Sequence, residues 1–152
     1  MGGRAFLHAA AAWLVVTCMS LWAIAAEQSA VAYIEGLYAE AQQQPLELPK
    51  VRYSPRLDKL WADCEKSAEA ADAICMDFDI LVMGQDVKLS DLKIEQQAGD
   101  TPKALIRASF KNFGEAHTVT FDLIHDDKGW MIDEVRSGCY ILSDMLQDKS
   151  TC

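Results

Sequence analysis

The stretch Ala104-Leu105-Ile106-Arg107-Ala108-Ser109-Phe110-Lys111-Asn112-Phe113-Gly114-Glu115-Ala116-His117-Thr118-Val119-Thr120-Phe121-Asp122-Leu123 decides the fold class. Apolar residues fall on every second position at Ala104, Ile106, Ala108 and Phe110, and again at Val119, Phe121 and Leu123. A strand places alternate side chains on opposite faces, so each run predicts a strand with one face turned to a core. Asn112-Phe113-Gly114-Glu115 between them has turn composition, and a connection this short makes the two strands antiparallel neighbours. The pattern extends outward on both sides. Leu92 and Ile94 predict a strand before Gly99-Asp100-Thr101-Pro102, and Trp130 and Ile132 predict one after Asp126-Asp127-Lys128-Gly129. A four-stranded antiparallel meander follows.

Upstream the period changes to that of a helix. Ala30, Tyr33, Ile34, Leu37, Tyr38 and Ala41 form one stripe at helical spacing, with Glu35, Glu40 and Gln42 off it. Gln44-Pro45 ends this helix, because the residue before a proline is pushed out of the helical region. Ser54 and Pro55 start a second helix as N-cap and first helical residue, and Leu57, Leu60, Trp61, Cys64 and Ala68 form its apolar stripe. Ile141, Leu142, Met145 and Leu146 predict a short closing helix. The fold class is therefore α+β, with N-terminal helices packed on one face of a curved antiparallel sheet and a short C-terminal helix.

The 152 residues carry 23 acidic and 14 basic side chains, a formal charge of −9, and are 51% hydrophobic. One domain fits this length. The charge argues against nucleic-acid binding, which draws its affinity from cations placed on phosphates. Residues 5–26 hold no charged side chain apart from His8, follow Arg4, and end in Ala23-Ile24-Ala25, the small-x-small pattern of a signal-peptidase site. Residues 1–26 are thus expected to be a signal peptide and 27–152 a single periplasmic or secreted domain with no membrane span after cleavage. An uncleaved anchor is the alternative, since the apolar run approaches a bilayer's thickness.

Cleavage removes Cys18 and leaves Cys64, Cys75, Cys139 and Cys152, an even number suited to an oxidising compartment. Three pairings can be drawn. Cys64 with Cys75 and Cys139 with Cys152 close the local loops and are the expected bridges, with reduced, buried cysteines as the alternative.

The segments Tyr53-Ser54-Pro55-Arg56-Leu57, Asp77-Phe78-Asp79, Gly84-Gln85-Asp86, Arg107-Ala108-Ser109-Phe110, Asn112-Phe113-Gly114 and Gly129-Trp130-Met131-Ile132-Asp133-Glu134 together resemble the bacterial family known as domain of unknown function 3828. That family is similar to the nuclear transport factor 2-like fold. The resemblance implies a cone-shaped domain with a pocket between helices and sheet, and no established reaction.

On such a fold Tyr33, Tyr38, Trp61, Phe110, Phe121 and Trp130 are the candidates to line an apolar pocket. Asp72, Asp77, Asp79 and Asp86 cluster, but without the glycine and closing glutamate of a calcium loop they are expected to cap backbone rather than bind metal. No cofactor motif occurs. An isomerase-type site would need a desolvated carboxylate and a tyrosine hydroxyl, which Tyr33, Tyr38 or Tyr53 could offer with Asp122 or Asp133. Strand alternation nevertheless turns both of those aspartates away from the core face.

The sequence thus points to an exported, non-catalytic domain that binds a small apolar ligand in the cone or a basic envelope protein at its acidic surface. A small pocket enzyme of ketosteroid-isomerase type is the alternative.

Overall fold

The computed structural model describes residues 28–43 and 50–149. The expected signal peptide, Pro45 and Cys152 lie outside them. The element order is α1 (Ala30–Gln43), α2 (Pro55–Ala70), β1 (Leu89–Asp100), β2 (Lys103–Asn112), β3 (Glu115–Asp126), β4 (Gly129–Ser137), β5 (Tyr140–Ile141) and α3 (Leu142–Met145). The five strands form one antiparallel sheet in sequential order, the meander that the alternating runs predict, extended by the two-residue β5. No helix among the described residues is long and apolar enough to cross a membrane.

Local chemistry accounts for the elements. In α1 the stripe Ala30, Ile34, Leu37, Tyr38 and Ala41 is buried, while Tyr33 is half-buried at its margin. Ser54 caps α2, its Oγ accepting the Leu57 N–H at 3.3 Å, with Pro55 in the first turn. The β2–β3 turn holds Phe113 and Gly114 at positive φ, the paired geometry that a two-residue hairpin requires. Tyr38 packs on Phe110 and Phe121 with ring centroids 5.4 and 6.3 Å away, which keys α1 into the core that also holds Ile106, Ala108 and Val119.

Two departures from simple periodicity matter. Leu57 alone of the α2 stripe is fully buried; Leu60, Trp61, Cys64 and Ala68 are half-buried, because α2 lies against β4 and the loop after it rather than across the sheet. In β4 the register shifts: Asp122 faces Glu134 and Leu123 faces Ile132, leaving Asp133 as an extra residue. This bulge moves the inward positions from Trp130 and Ile132 to Val135 and Ser137. Asp133 keeps the outward direction that the alternation gives it: its carboxylate is about one-third exposed and pairs at the surface with Arg56 of α2.

Candidate functional site

Between α2 and the sheet, the chain from Ala71 to Lys88 forms a long loop whose middle is buried. Asp79 and Gly84 exchange backbone hydrogen bonds of 3.0 and 3.2 Å, turning Ile80, Leu81 and Val82 into the core. Two anchors hold the loop. At its start, Cys64 of α2 is bridged to Cys75, with Cα atoms 5.5 Å apart, as the local pairing predicts. At its end, Asn112 on β2 donates from Nδ2 to the carbonyls of Val82 (3.0 Å) and Asp86 (2.9 Å), and its Oδ1 accepts the Lys88 N–H (2.8 Å). The sequence alone presents Asn112 only as a turn residue; its spacing from the loop gives no sign of this clamp.

The segment ahead of α2 is placed by β4. Ser54 donates its N–H to the Ile132 carbonyl (2.8 Å) and Ile132 donates to the Arg52 carbonyl (2.9 Å), a one-residue parallel bridge that seats Tyr53 beside the sheet. Tyr53 and Trp61 then lie with ring centroids 6.0 Å apart and planes inclined at 37°.

These pieces enclose a cleft of about 190 Å³, lined by Val51, Tyr53, Trp61, Met76, Phe78, Asp79, Ile80 and Leu81. The wall is almost wholly apolar, with Asp79 as its one carboxylate. Asp79 is buried; its Oδ1 accepts the Leu81 N–H at 2.7 Å, while Oδ2 is shut from water and has no hydrogen-bond partner. The other buried polar side chains are satisfied: Ser54 by Leu57, Asn112 as above, Glu134 by the N–H groups of Val135 and Ser143, and Ser137 by the Thr118 carbonyl. Trp61 Nε1 is also buried without a partner. It lies close enough to the Tyr53 hydroxyl to favour the phenolate slightly, but no hydrogen bond of good geometry joins them.

Burial pushes the Asp79 carboxyl above the usual aspartate range, and the Leu81 N–H opposes this only in part. Tyr53 is raised strongly, first by burial and then by the nearby Asp79 charge, with Asp58 adding to it. Tyr38 is raised for the same two reasons, and its hydroxyl donates to the Leu81 carbonyl at 2.8 Å. The cleft thus holds one buried acid beside a tyrosine that stays protonated.

The six aromatic candidates do not share one cavity. Trp61 lines the cleft. Tyr38 packs on Phe110 and on Phe121 in the core, and the space beside Tyr38 and Phe121 has no room for a water molecule. Tyr33 bonds the Arg52 backbone through its hydroxyl, and Trp130 Nε1 donates to the Gln28 carbonyl at 2.8 Å. Tyr38, Phe110 and Phe121 thus fill the space between them, and the cleft lies instead between α2 and the Asp79 loop. Asp122 pairs with Arg136, and Asp133 with Arg56, so neither is the isomerase-type acid. Of the acidic cluster, only Asp79 enters the site; among the described residues no group of three His, Cys, Asp or Glu side chains is placed to hold a metal ion. Cys139 is disulfide-bonded, and its expected partner Cys152 lies outside the described residues.

No protein-family model and no curated protein matches this chain. Among solved structures it is similar to a phospholipid-binding protein from Ralstonia solanacearum in complex with a phospholipid, at 14% identity over 76% of this chain and 69% of that one, with a TM-score of 0.40. That likeness is too remote to transfer a ligand.

Proposed function

We propose that this protein is an exported, non-catalytic domain that binds a small, mostly apolar ligand in the cleft between α2 and the Asp79 loop. The observation that carries this is an apolar cleft, walled by Tyr53, Trp61 and Phe78, that backs onto one desolvated carboxyl, Asp79. Burying a carboxyl with one unpartnered oxygen costs about 1–3 kcal/mol, and a ligand that compensates it offsets part of that cost. The volume lies below the roughly 300–1,000 Å³ of drug-sized sites, so the occupant is compact. Ala23-Ile24-Ala25 and the Cys64–Cys75 bridge support a periplasmic or secreted location. The order of helices before a meander supports reading the architecture as the nuclear transport factor 2-like cone of the domain of unknown function 3828 family.

The test is native mass spectrometry of protein purified from its own envelope, with thermal melts in the presence of small apolar probes. A low-mass adduct lost in Val51→Trp, or a raised melting temperature, is expected. A bare chain mass together with melts unmoved by every probe would overturn the proposal.

A second reading draws on Asp79 and Tyr53. A carboxyl desolvated in an apolar cleft beside a protonated tyrosine is the pairing that proton transfer next to a carbonyl uses, as base and oxyanion donor. The cleft restricts such a substrate to a small carbonyl compound. Deuterium exchange into a small ketone, followed by NMR with and without Asp79→Asn, distinguishes this from binding alone.

A further inference from the structure

The cleft's electrostatics narrow the class of its occupant, an inference that rests on the ligand-binding reading above. No Lys, Arg or His lines it. Its one ionisable wall group of low intrinsic pKa is Asp79, and the neighbouring Asp58 adds negative potential at Tyr53. An anion would be repelled. A neutral hydrocarbon would leave the carboxylate desolvated and uncompensated, which is the costly way to bury a charge.

The wall supplies the other half of a cation site. Tyr53, Trp61 and Phe78 contribute three aromatic side chains, with Tyr53 and Trp61 packed on each other at 6.0 Å and an inclination of 37° and Phe78 edge-on to Tyr140 at 5.9 Å. The face of an aromatic ring attracts an ammonium group, most strongly where water is excluded. Asp79 is held in place by Leu81 and keeps one oxygen uncommitted. The chain's overall charge of −9 also favours the approach of cations.

We propose that the cleft is a recognition site for a small organic cation, with an alkylammonium group seated against Tyr53, Trp61 and Phe78 and neutralised by Asp79. The shared chemistry is a compact, weakly hydrated positive charge carrying methyl groups.

The experiment compares choline with its neutral isostere, in which a quaternary carbon replaces the nitrogen, by ligand-observed NMR on the purified oxidised protein. The two probes have the same shape and differ in charge. Choline is expected to bind at least about tenfold more tightly, a difference of roughly 1.4 kcal/mol. Asp79→Asn should abolish the preference, because the amide keeps an oxygen for the Leu81 N–H and removes only the charge; its melting curve verifies folding. Phe78→Leu should weaken choline more than the isostere. Equal binding of both probes, or tighter binding of the isostere, would overturn the cation proposal and leave the small-ligand reading standing. Binding of neither would overturn the cation proposal as well, while the small-ligand reading falls only if the native mass and the melts with other probes also show nothing.

Discussion

Asp79 Oδ1 accepts the Leu81 backbone N–H at 2.7 Å, and this one bond fixes a carboxyl group whose second oxygen finds no partner. Burial raises its pKa in the fold, so the native state holds the Asp79 proton at pH values where the unfolded chain has lost it. The native state then binds more protons between the ordinary aspartate value, about 4, and the raised one, and stability falls as pH rises through that window. The contribution is fully present below the window and lost above it. Asp79→Asn should therefore melt at a temperature equal to or above the parent at pH 7, with the difference closing by about pH 4. Melts of both proteins across that range check it. A difference that widens on acidification would contradict the assignment.

Asn112 joins the end of β2 to the loop through three hydrogen bonds, two of them given to backbone carbonyls. Asn112→Ala strands the buried Val82 carbonyl and the Lys88 N–H, and should cost about 2–3 kcal/mol in urea unfolding. Amide exchange should quicken around Leu81 and Val82 while β2 and β3 stay protected.

Arg56 Nη2 reaches Glu134 Oε2 at 3.3 Å and also the Asp133 backbone carbonyl, but the Arg56 side chain is about half exposed, whereas Glu134 is buried. Glu134 further accepts the N–H groups of Val135 and Ser143, which ties α3 to β4. The two ends of this pair should respond unequally. Glu134→Ala should cost about 2–4 kcal/mol, since it orphans buried donors, and Arg56→Ala no more than about 1 kcal/mol. Urea titrations of the two variants give the comparison; equal losses would show that the ion pair, not the backbone bonds, dominates.

Cys64 and Cys75 lie 11 residues apart and close the loop that leads into Met76 and Phe78. Replacing both with serine should lower stability by about 3 kcal/mol through loop-closure entropy. The same variant should weaken small-ligand binding, because the cleft wall would no longer be fastened to α2. A calorimetric melt and a probe titration on the one sample check both.

Much of the fold could be read before any coordinates. The α1 stripe, the Ser54-Pro55 start of α2 and the three hairpin turns each depend on residues within a few positions of one another. The Cys64–Cys75 bridge was legible for the same reason, being the short loop. The site was not. Asp79 looks from its neighbours like one more loop-capping carboxylate, and it does cap Leu81. Nothing near it in the chain shows that Tyr53 and Trp61 close over it, since a parallel bridge to β4 brings Tyr53 there and a residue on β2 holds the loop in place. Periodicity identifies which aromatic side chains point inward and the resemblance to a cone-shaped fold implies a pocket among them, but neither says whether inward-pointing rings leave space between them.

Patterning at short range thus determined the helices, the meander and one covalent loop, because backbone hydrogen bonding and side-chain alternation are local properties. Tertiary structure decided which carboxylate loses its water, which tyrosine stands beside it, and where the bulge at Asp133 breaks the alternation. Desolvation is a sum over atoms from every segment that closes around a group. For Asp79 those atoms come from the chain before α2, from α2 itself and from its own loop, which meet only once the chain has folded.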